Sequence, residues 1–450
     1  MYLHLPLNLF PGGSRMYLWR RRTTGQRTYP KGPCRVPIMA STPSLWRHRD
    51  FLLLWSGQSV SRIGDQFTGL AVPYMAAYVL AASPGEMGLL GAAGTVPFLL
   101  FGLLVGVWVD RRQRRSVLIF ADIGRGAMIA TIALLGIANL LQLTYLYILS
   151  FFIGVLTVFF DVAYQAYLPV LVERRQLVDA NSKLETSNTL ASSAGPTFAG
   201  AVIEVFRAPF AMFFDAASFF VSAGSLAAIR KREALPEQSQ RESVLSQIRE
   251  GLQIVLGDRR LRRIAACTGW SNFFSSAVFS ALFFLFLKEL GFNAFSLGIL
   301  FGVSSIGGIL GAVVSGRIAK RIGVGPAIIL GGVLFGIPTL PMAFVTPEIA
   351  LPALIAMLGA SFFGNLLYNI NQVSFRQAIV PVRLQGRLNA TMRTIVWGTL
   401  PLGALAGGLL GEAIGLRPAI FLGVVAGGFA FLWVLFSPVR QIREMPESAA

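Results

Sequence analysis

The chain has 450 residues, 54% of them hydrophobic and only 13% charged, with a mean hydropathy of +0.63. Soluble domains carry roughly 25% charged residues, so a soluble globular fold is excluded. The formal charge of +18 does not mark a nucleic-acid binder, because the basic residues fall in short clusters between apolar stretches.

In chain order, the first 45 residues contain no acidic residue, several arginines and no apolar run able to span a bilayer. They read as a disordered extension or an early start, with Met39 the alternative first residue. Arg20–Arg22 resembles a twin-arginine signal, but no hydrophobic region follows it, and an Arg-rich organellar leader is the other reading. From there apolar segments run at about 51–80, 85–109, 116–140, 144–168, 184–206 and 209–229, then at about 264–287, 294–318, 325–345, 349–375, 386–411 and 416–436. Each is long enough for a hydrocarbon core of ~30 Å, which needs about 20 helical residues. Backbone groups in lipid must be satisfied within the segment, so each span is expected to be a helix. The expected fold is an all-α membrane protein with twelve transmembrane helices in two six-helix parallel pseudo-repeats.

The connections orient it. Arg111, Arg112, Arg114 and Arg115 follow span 2, Arg174, Arg175 and Lys183 follow span 4, and Arg230, Lys231 and Arg232 follow span 6. Arg317, Lys320 and Arg321 follow span 8, Arg376, Arg383 and Arg387 follow span 10, and Arg440 and Arg443 follow span 12. The opposite loops hold only Arg207, Lys288 and Arg417. By the positive-inside rule both termini are expected in the cytoplasm, in a multi-pass plasma-membrane protein.

The domain reading is an extension over 1–45, a first half over 46–229, a linker over 230–262, a second half over 263–437 and a tail over 438–450. Within the linker Leu245, Ile248, Leu252 and Val255 share one face of a helix, expected to lie amphipathically on the cytoplasmic surface. The halves repeat in sequence. Gly88-Leu-Leu-Gly91 corresponds to Gly298-Ile-Leu-Phe301 and Gly106 to Gly316, while Asn181, Gly195 and Gly200 correspond to Asn389, Gly403 and Gly408. Parallel repeats about an axis along the membrane normal place a substrate site between the halves, near the midplane.

Three motifs carry chemistry. At the end of span 2 stands Gly106-Val-Trp-Val-Asp110-Arg111-Arg-Gln-Arg114-Arg115. There Gly106 would permit close helix approach and Asp110 would present a carboxylate at the membrane edge. In span 5, Gly195-Pro196-Thr-Phe-Ala199-Gly200 would bend the helix and pack it on a partner. The third group comprises Phe51–Asp65, Tyr167–Val172 with Ala180–Ser182, and Asp215–Phe219.

The first of these resembles the signature loop of the major facilitator superfamily, departing from it at Gln113. The second resembles, in part, an element of that superfamily's drug–proton antiporters. The third, in its order, resembles the branch of macrolide-type and enterobactin-type exporters, over most of residues 46–437. The resemblance implies a cytoplasmic gate in which Asp110, with Arg111 and Arg115, meets a helix N-terminus across the half-to-half interface; attraction of a carboxylate to such a terminus gives the mechanism. A plain topology anchor is the competing reading. The second half has Lys320 where the first has Asp110.

Ionisable groups deep in a membrane are functional candidates. Asp65, near the middle of span 1, is a candidate proton carrier or a structural partner of Arg62, three residues away. Asp161 is a further coupling candidate, Asp122 and Arg125 read as a structural pair, and Asp215 as a helix-packing group. Asn365, Tyr368, Asn369 and Gln372 form a polar stripe in span 10, which with Gln66 makes a candidate cavity wall; interhelical hydrogen bonds would account for the stripe equally well. The phenylalanines of span 7 are expected to face lipid or core, a minority of them a cavity.

No nucleotide-binding Gly-rich loop and no hydrolase signature occurs, and the two histidines, His4 and His48, lie outside the spans. No enzyme activity, cofactor or metal is therefore expected, and Cys34 and Cys267 predict no disulfide. The expected partners are a small-molecule substrate, protons and the lipid bilayer, with no nucleic acid, for a chain acting as a monomer. The leading function is proton-coupled efflux of an amphipathic small molecule. The alternatives are import of a metabolite or lipid-like substrate, and a receptor or scaffold that does not transport.

Overall fold

The structure is a computed structural model, and it describes residues 45–109, 111–231, 233 and 244–444. Asp110, Cys34 and nearly all of the amino-terminal extension lie outside the described residues.

The first half comprises α1 (Arg49–Tyr74), α2 (Pro84–Val109), α3 (Arg114–Ile137), α4 (Leu143–Leu171), α5 (Leu177–Phe206) and α6 (Ala208–Ala227). After α7 (Val244–Gly257), the second half begins with α8 (Arg259–Ser276) and α9 (Phe283–Glu289). It continues through α10 (Ala294–Ile322), α11 (Val324–Gly336), α12 (Ala350–Ile379), α13 (Val382–Trp397), α14 (Thr399–Ile414), α15 (Leu416–Gly428) and α16 (Leu432–Leu435). Five expected spans are composite. A π-helical turn over Met75–Val79 continues α1, another over Ala277–Leu282 joins α8 to α9, α11 runs on into a 3-10 segment, Gly398 separates α13 from α14, and a break at 429–431 separates α15 from α16.

Among the described residues, ten helical stretches are long and apolar enough to cross a membrane. The other two long helices, α1 and α5, are as long but more polar. Their polarity has a structural reason. Each buries part of its surface against the other and turns side chains such as Arg62, Glu185 and Asn188 toward an internal cavity rather than lipid.

Within the first half α1 packs on α6 and α5, and α3 on α6 and α4; in the second, α12 packs on α10 and α11, and α14 on α8. Among the described residues, two helix pairs chiefly join the halves: α2 with α14, and α5 with α10. Small residues make both possible. A methyl group added at Gly88 would lie 2.6 Å from the Ala404 carbonyl oxygen and 2.9 Å from Gly408 Cα. One added at Gly298 would lie 2.6 Å from the Pro196 carbonyl oxygen and 3.0 Å from Gly200 Cα. These are the positions the internal repeat equates, so the two contacts are related by the pseudo-twofold axis. Close backbone approach gives dispersion contact where lipid offers no hydrophobic drive.

The linker helix, α7, packs on α13 and α8: Val255 is fully buried, Gly251 abuts Thr391, and Glu250 pairs with Arg387. Leu252 and Leu256 stay exposed, and the side chains of Leu245 and Ile248 lie outside the described residues. In span 7, Phe283, Phe284 and Phe286 are buried in the core.

Candidate functional site

A cavity of about 940 Å³ lies between the halves. The first half lines it with Arg62 on α1, Phe98 and Gly106 on α2, and Asp161 on α4; the second contributes Arg393 and Trp397 on α13. These residues lie toward the helix ends that carry the basic loops, so the cavity belongs to that end of the molecule.

The opposite end is held shut by a matched set of polar contacts. Glu412 on α14 accepts from Gly85 N in the first turn of α2 at 3.0 Å, and from Ser83 Oγ. Glu204 on α5 accepts from Asn293 Nδ2, the residue that caps α10, at 3.2 Å. In the repeat Ser83 corresponds to Asn293 and Glu204 to Glu412. Each half therefore offers a carboxylate to the start of a helix in the other, where the helix dipole favours it. Lys288 Nζ adds a bond of 2.7 Å to the Ala77 carbonyl, in the π-helical turn Met75–Val79 that ends α1.

Across the cavity Arg393 Nη2 lies 3.1 Å from Asp161 Oδ2, an ion pair that bridges the halves. The guanidinium also stacks on Trp397, 4.3 Å from its centroid, which leaves it held by one carboxylate and an aromatic face. Sequence reasoning passed over Arg393. The signal was there, since it is a charged residue well inside a predicted span.

Arg62 lines the same cavity and reaches Asp65 at 3.4 Å, one turn along α1. Deeper in the half, Asp122 pairs with Arg125 and accepts from Ser222 Oγ at 2.6 Å; Ser222 in turn accepts from Gln58 Nε2 at 2.9 Å. The Arg125 guanidinium is sandwiched between Phe160 and Phe219, 4.2 and 4.3 Å from the ring centroids. Asp215 is fully buried against Gly64 and accepts from Ser218 at 3.2 Å.

Gly106, Arg111, Arg114 and Arg115 of the signature loop are described, and Asp110 is not. Among the described residues, nothing lies within 4 Å of a methyl group added at Gly106, nor at its counterpart Gly316, because the halves stand apart at this end. Arg115 is not directed across the interface: it donates to the Leu226 carbonyl at 2.8 Å and to that of Ala227, tying α3 to the end of α6. Arg114 Nη1 meets Glu233 at 2.6 Å, and Arg111 is exposed. Arg115 thus braces its own half, and Arg114 ties the start of α3 to the linker.

On α5, Gly200 and Pro196 form the contact with α10, while Gly195 receives Gln66 of α1, whose Cγ would collide with an added methyl group. Gln66 is thereby packed between α1 and α5 and is absent from the lining of the cavity. The stripe of Asn365, Tyr368, Asn369 and Gln372 does converge on a space, a side chamber of about 300 Å³ in the second half. It shares Asn389, Arg393 and Trp397 with the main cavity. Two of its members also bond locally, the Tyr368 hydroxyl with Thr268 Oγ1 at 2.7 Å and Gln372 Nε2 with Asn369 Oδ1 at 2.9 Å.

Comparison with known proteins gives a family match over residues 40–449, to the family described as transmembrane secretion effector. The multidrug efflux pump Tap of Mycolicibacterium fortuitum is 27% identical over 393 residues, 83% of this chain and 94% of that protein. Macrolide efflux protein A of Streptococcus pyogenes is 23% identical over 219 residues, covering 47% of this chain and 52% of its own. Among solved structures, a bacterial homologue of the iron transporter ferroportin, 18% identical, matches in its inward-facing state with a TM-score of 0.65 over 87% of this chain and 99% of its own. Its outward-facing state matches with a TM-score of 0.57 over 86% and 98%.

Proposed function

We propose, for a chain that belongs to the transmembrane secretion effector family of major facilitator transporters, that it exports amphipathic small molecules in exchange for protons by alternating access. The observation that carries this reading is the cavity of about 940 Å³, walled by both halves and bridged by Asp161 and Arg393. A space built this way can exist only while the halves are parted at one end. It closes when they rock about the glycine contacts at the other.

In this reading the basic-loop end faces the cytoplasm, and substrate enters the cavity there or from the inner leaflet. The halves then close over it, Gly106 and Gly316 supplying the room for close approach, while Glu204 and Glu412 release their helix termini. Asp65 and Asp161 are the groups that exchange protons with the two aqueous sides. Each faces an arginine across a gap that a neutral carboxyl would no longer hold, so protonation and rearrangement are coupled. The relatives named as efflux pumps support the direction of transport.

Inverted membrane vesicles energised to an acid interior test this reading. Accumulation of an amphipathic dye that collapses with the gradient and is lost in Asp65→Asn is expected. Accumulation indifferent to both contradicts proton coupling.

A further inference from the structure

The side chamber of the second half differs electrostatically from the rest of the site. The main cavity mixes signs, with Asp161 and Glu185 beside Arg62 and Arg393. The side chamber is lined by Arg376 and Arg393, by the amides of Asn365, Asn369 and Asn389, and, among the described residues, by no aspartate or glutamate.

Its two guanidinium groups are unlike each other. Arg393 is committed to Asp161, whereas Arg376 has no carboxylate partner among the described residues and its Nε is buried with no hydrogen bond. Arg376 belongs to α12, one turn before the helix ends at Ile379, and not to the loop that follows the span. A guanidinium inside a membrane protein without a counter-charge is costly. Arg62, Arg125 and Arg393, by contrast, each have an aspartate.

We infer that the side chamber binds a carboxylate carried by the transported molecule, with Arg376 as its charge partner and the asparagine amides as further donors. The planar fork of a guanidinium matches a carboxylate with two parallel hydrogen bonds, and amides complete the remaining acceptor sites. The apolar body of the substrate extends from there past Trp397 into the main cavity, since the two spaces share that wall. The inference rests on the export reading and narrows it to acidic or zwitterionic amphiphiles.

Two dyes that differ only at this group provide the test: rhodamine 110, a free carboxylate, and rhodamine 123, its methyl ester. Fluorescence anisotropy on the purified full chain in detergent measures binding without requiring transport. The wild type is expected to bind rhodamine 110 about tenfold more tightly than rhodamine 123. Arg376→Gln is expected to weaken rhodamine 110 by about tenfold or more and rhodamine 123 by less than about threefold, with Arg376→Lys recovering part of the loss. Equal affinity for the two dyes, no binding of rhodamine 110, or equal losses for both in Arg376→Gln and Arg376→Lys would overturn the assignment. The export reading fails separately: the carboxylate preference then stands in detergent, and neither dye moves in energised inverted vesicles.

Discussion

Gly88 and Gly408 bring the backbones of α2 and α14 into contact, with a methyl group at either position only 2.9 Å from the other's Cα. The sequence repeat equates Gly88 with Gly298 and Gly408 with Gly200, and those two form the second contact between the halves. The same backbone geometry thus occurs twice, at the closed end of the molecule. A side chain at any of the four meets backbone atoms, which cannot rotate away.

Gly88→Ala and Gly200→Ala should therefore pry the closed end apart, with an overpacking cost of about 1–3 kcal/mol each. Gly106→Ala should not, because no described residue lies within 4 Å of the added methyl group, and alanine is the better helix former by up to about 1 kcal/mol. Thermal melting in detergent should fall for the first two and hold or rise for the third. Transport by Gly106→Ala should nevertheless drop, if that glycine is needed when the open end closes. A normal transport rate in Gly106→Ala would remove the glycine from the gating account.

The carboxylates at the closed end make a matched prediction. Glu204→Gln and Glu412→Gln weaken the attraction to the starts of α10 and α2. A cysteine placed at Ala82, buried at this end, should react several-fold faster with a polar maleimide added from outside in either variant, and faster still in both together. Unchanged labelling in the double variant would mean that the glycine contacts alone hold the closure.

Two aspartate–arginine pairs should separate by phenotype. Asp122 and Arg125 are buried, with side-chain exposures of 0% and 6%, and breaking such a pair strands a charge at a cost of about 3–5 kcal/mol. Asp122→Asn should accordingly lower the melting temperature and yield. Asp161 and Arg393 keep 22% and 30% of their side-chain surface. Solvent screens them, so Asp161→Asn should cost about 1 kcal/mol of stability and at least about tenfold in transport. Exchanging the charges, Asp161→Arg with Arg393→Asp, should restore part of the activity if the pair itself is what matters. Melting curves and dye transport measured side by side on the three variants decide it.

Much of this was legible before the structure. Long apolar segments have one solution in lipid, and basic clusters mark one end of each. The glycine correspondences already contained the interface, since equal sequence spacing in parallel repeats implies equal contacts. The polar helices were harder. Span 1 and span 5 carry Arg62, Asp65, Glu185 and Asn188, and a sequence does not show which face of a helix meets a cavity. Gln66 was assigned to the wall on polarity alone, yet it fills the gap above Gly195. Arg376 read as a loop charge because α12 runs four residues past the end of its apolar stretch, at about 375. Arg115 was placed at the gate by resemblance, while its geometry answers to the unsatisfied carbonyls at the end of α6.

The central claim is that the halves alternate about the closed end, and distance measurements between spin labels test it most directly. One pair sits at Gly106 and Gly316, where the open end has room for labels, and the other at Val79 and Ile414, exposed at the closed end. Both are introduced into a chain with Cys34 and Cys267 replaced by serine. Without substrate the first pair should be far apart and the second close. An amphipathic substrate together with a proton gradient should shift both distributions in opposite directions, the first shortening as the second lengthens. Two distributions that stay fixed under every condition would contradict alternating access and favour a membrane scaffold instead.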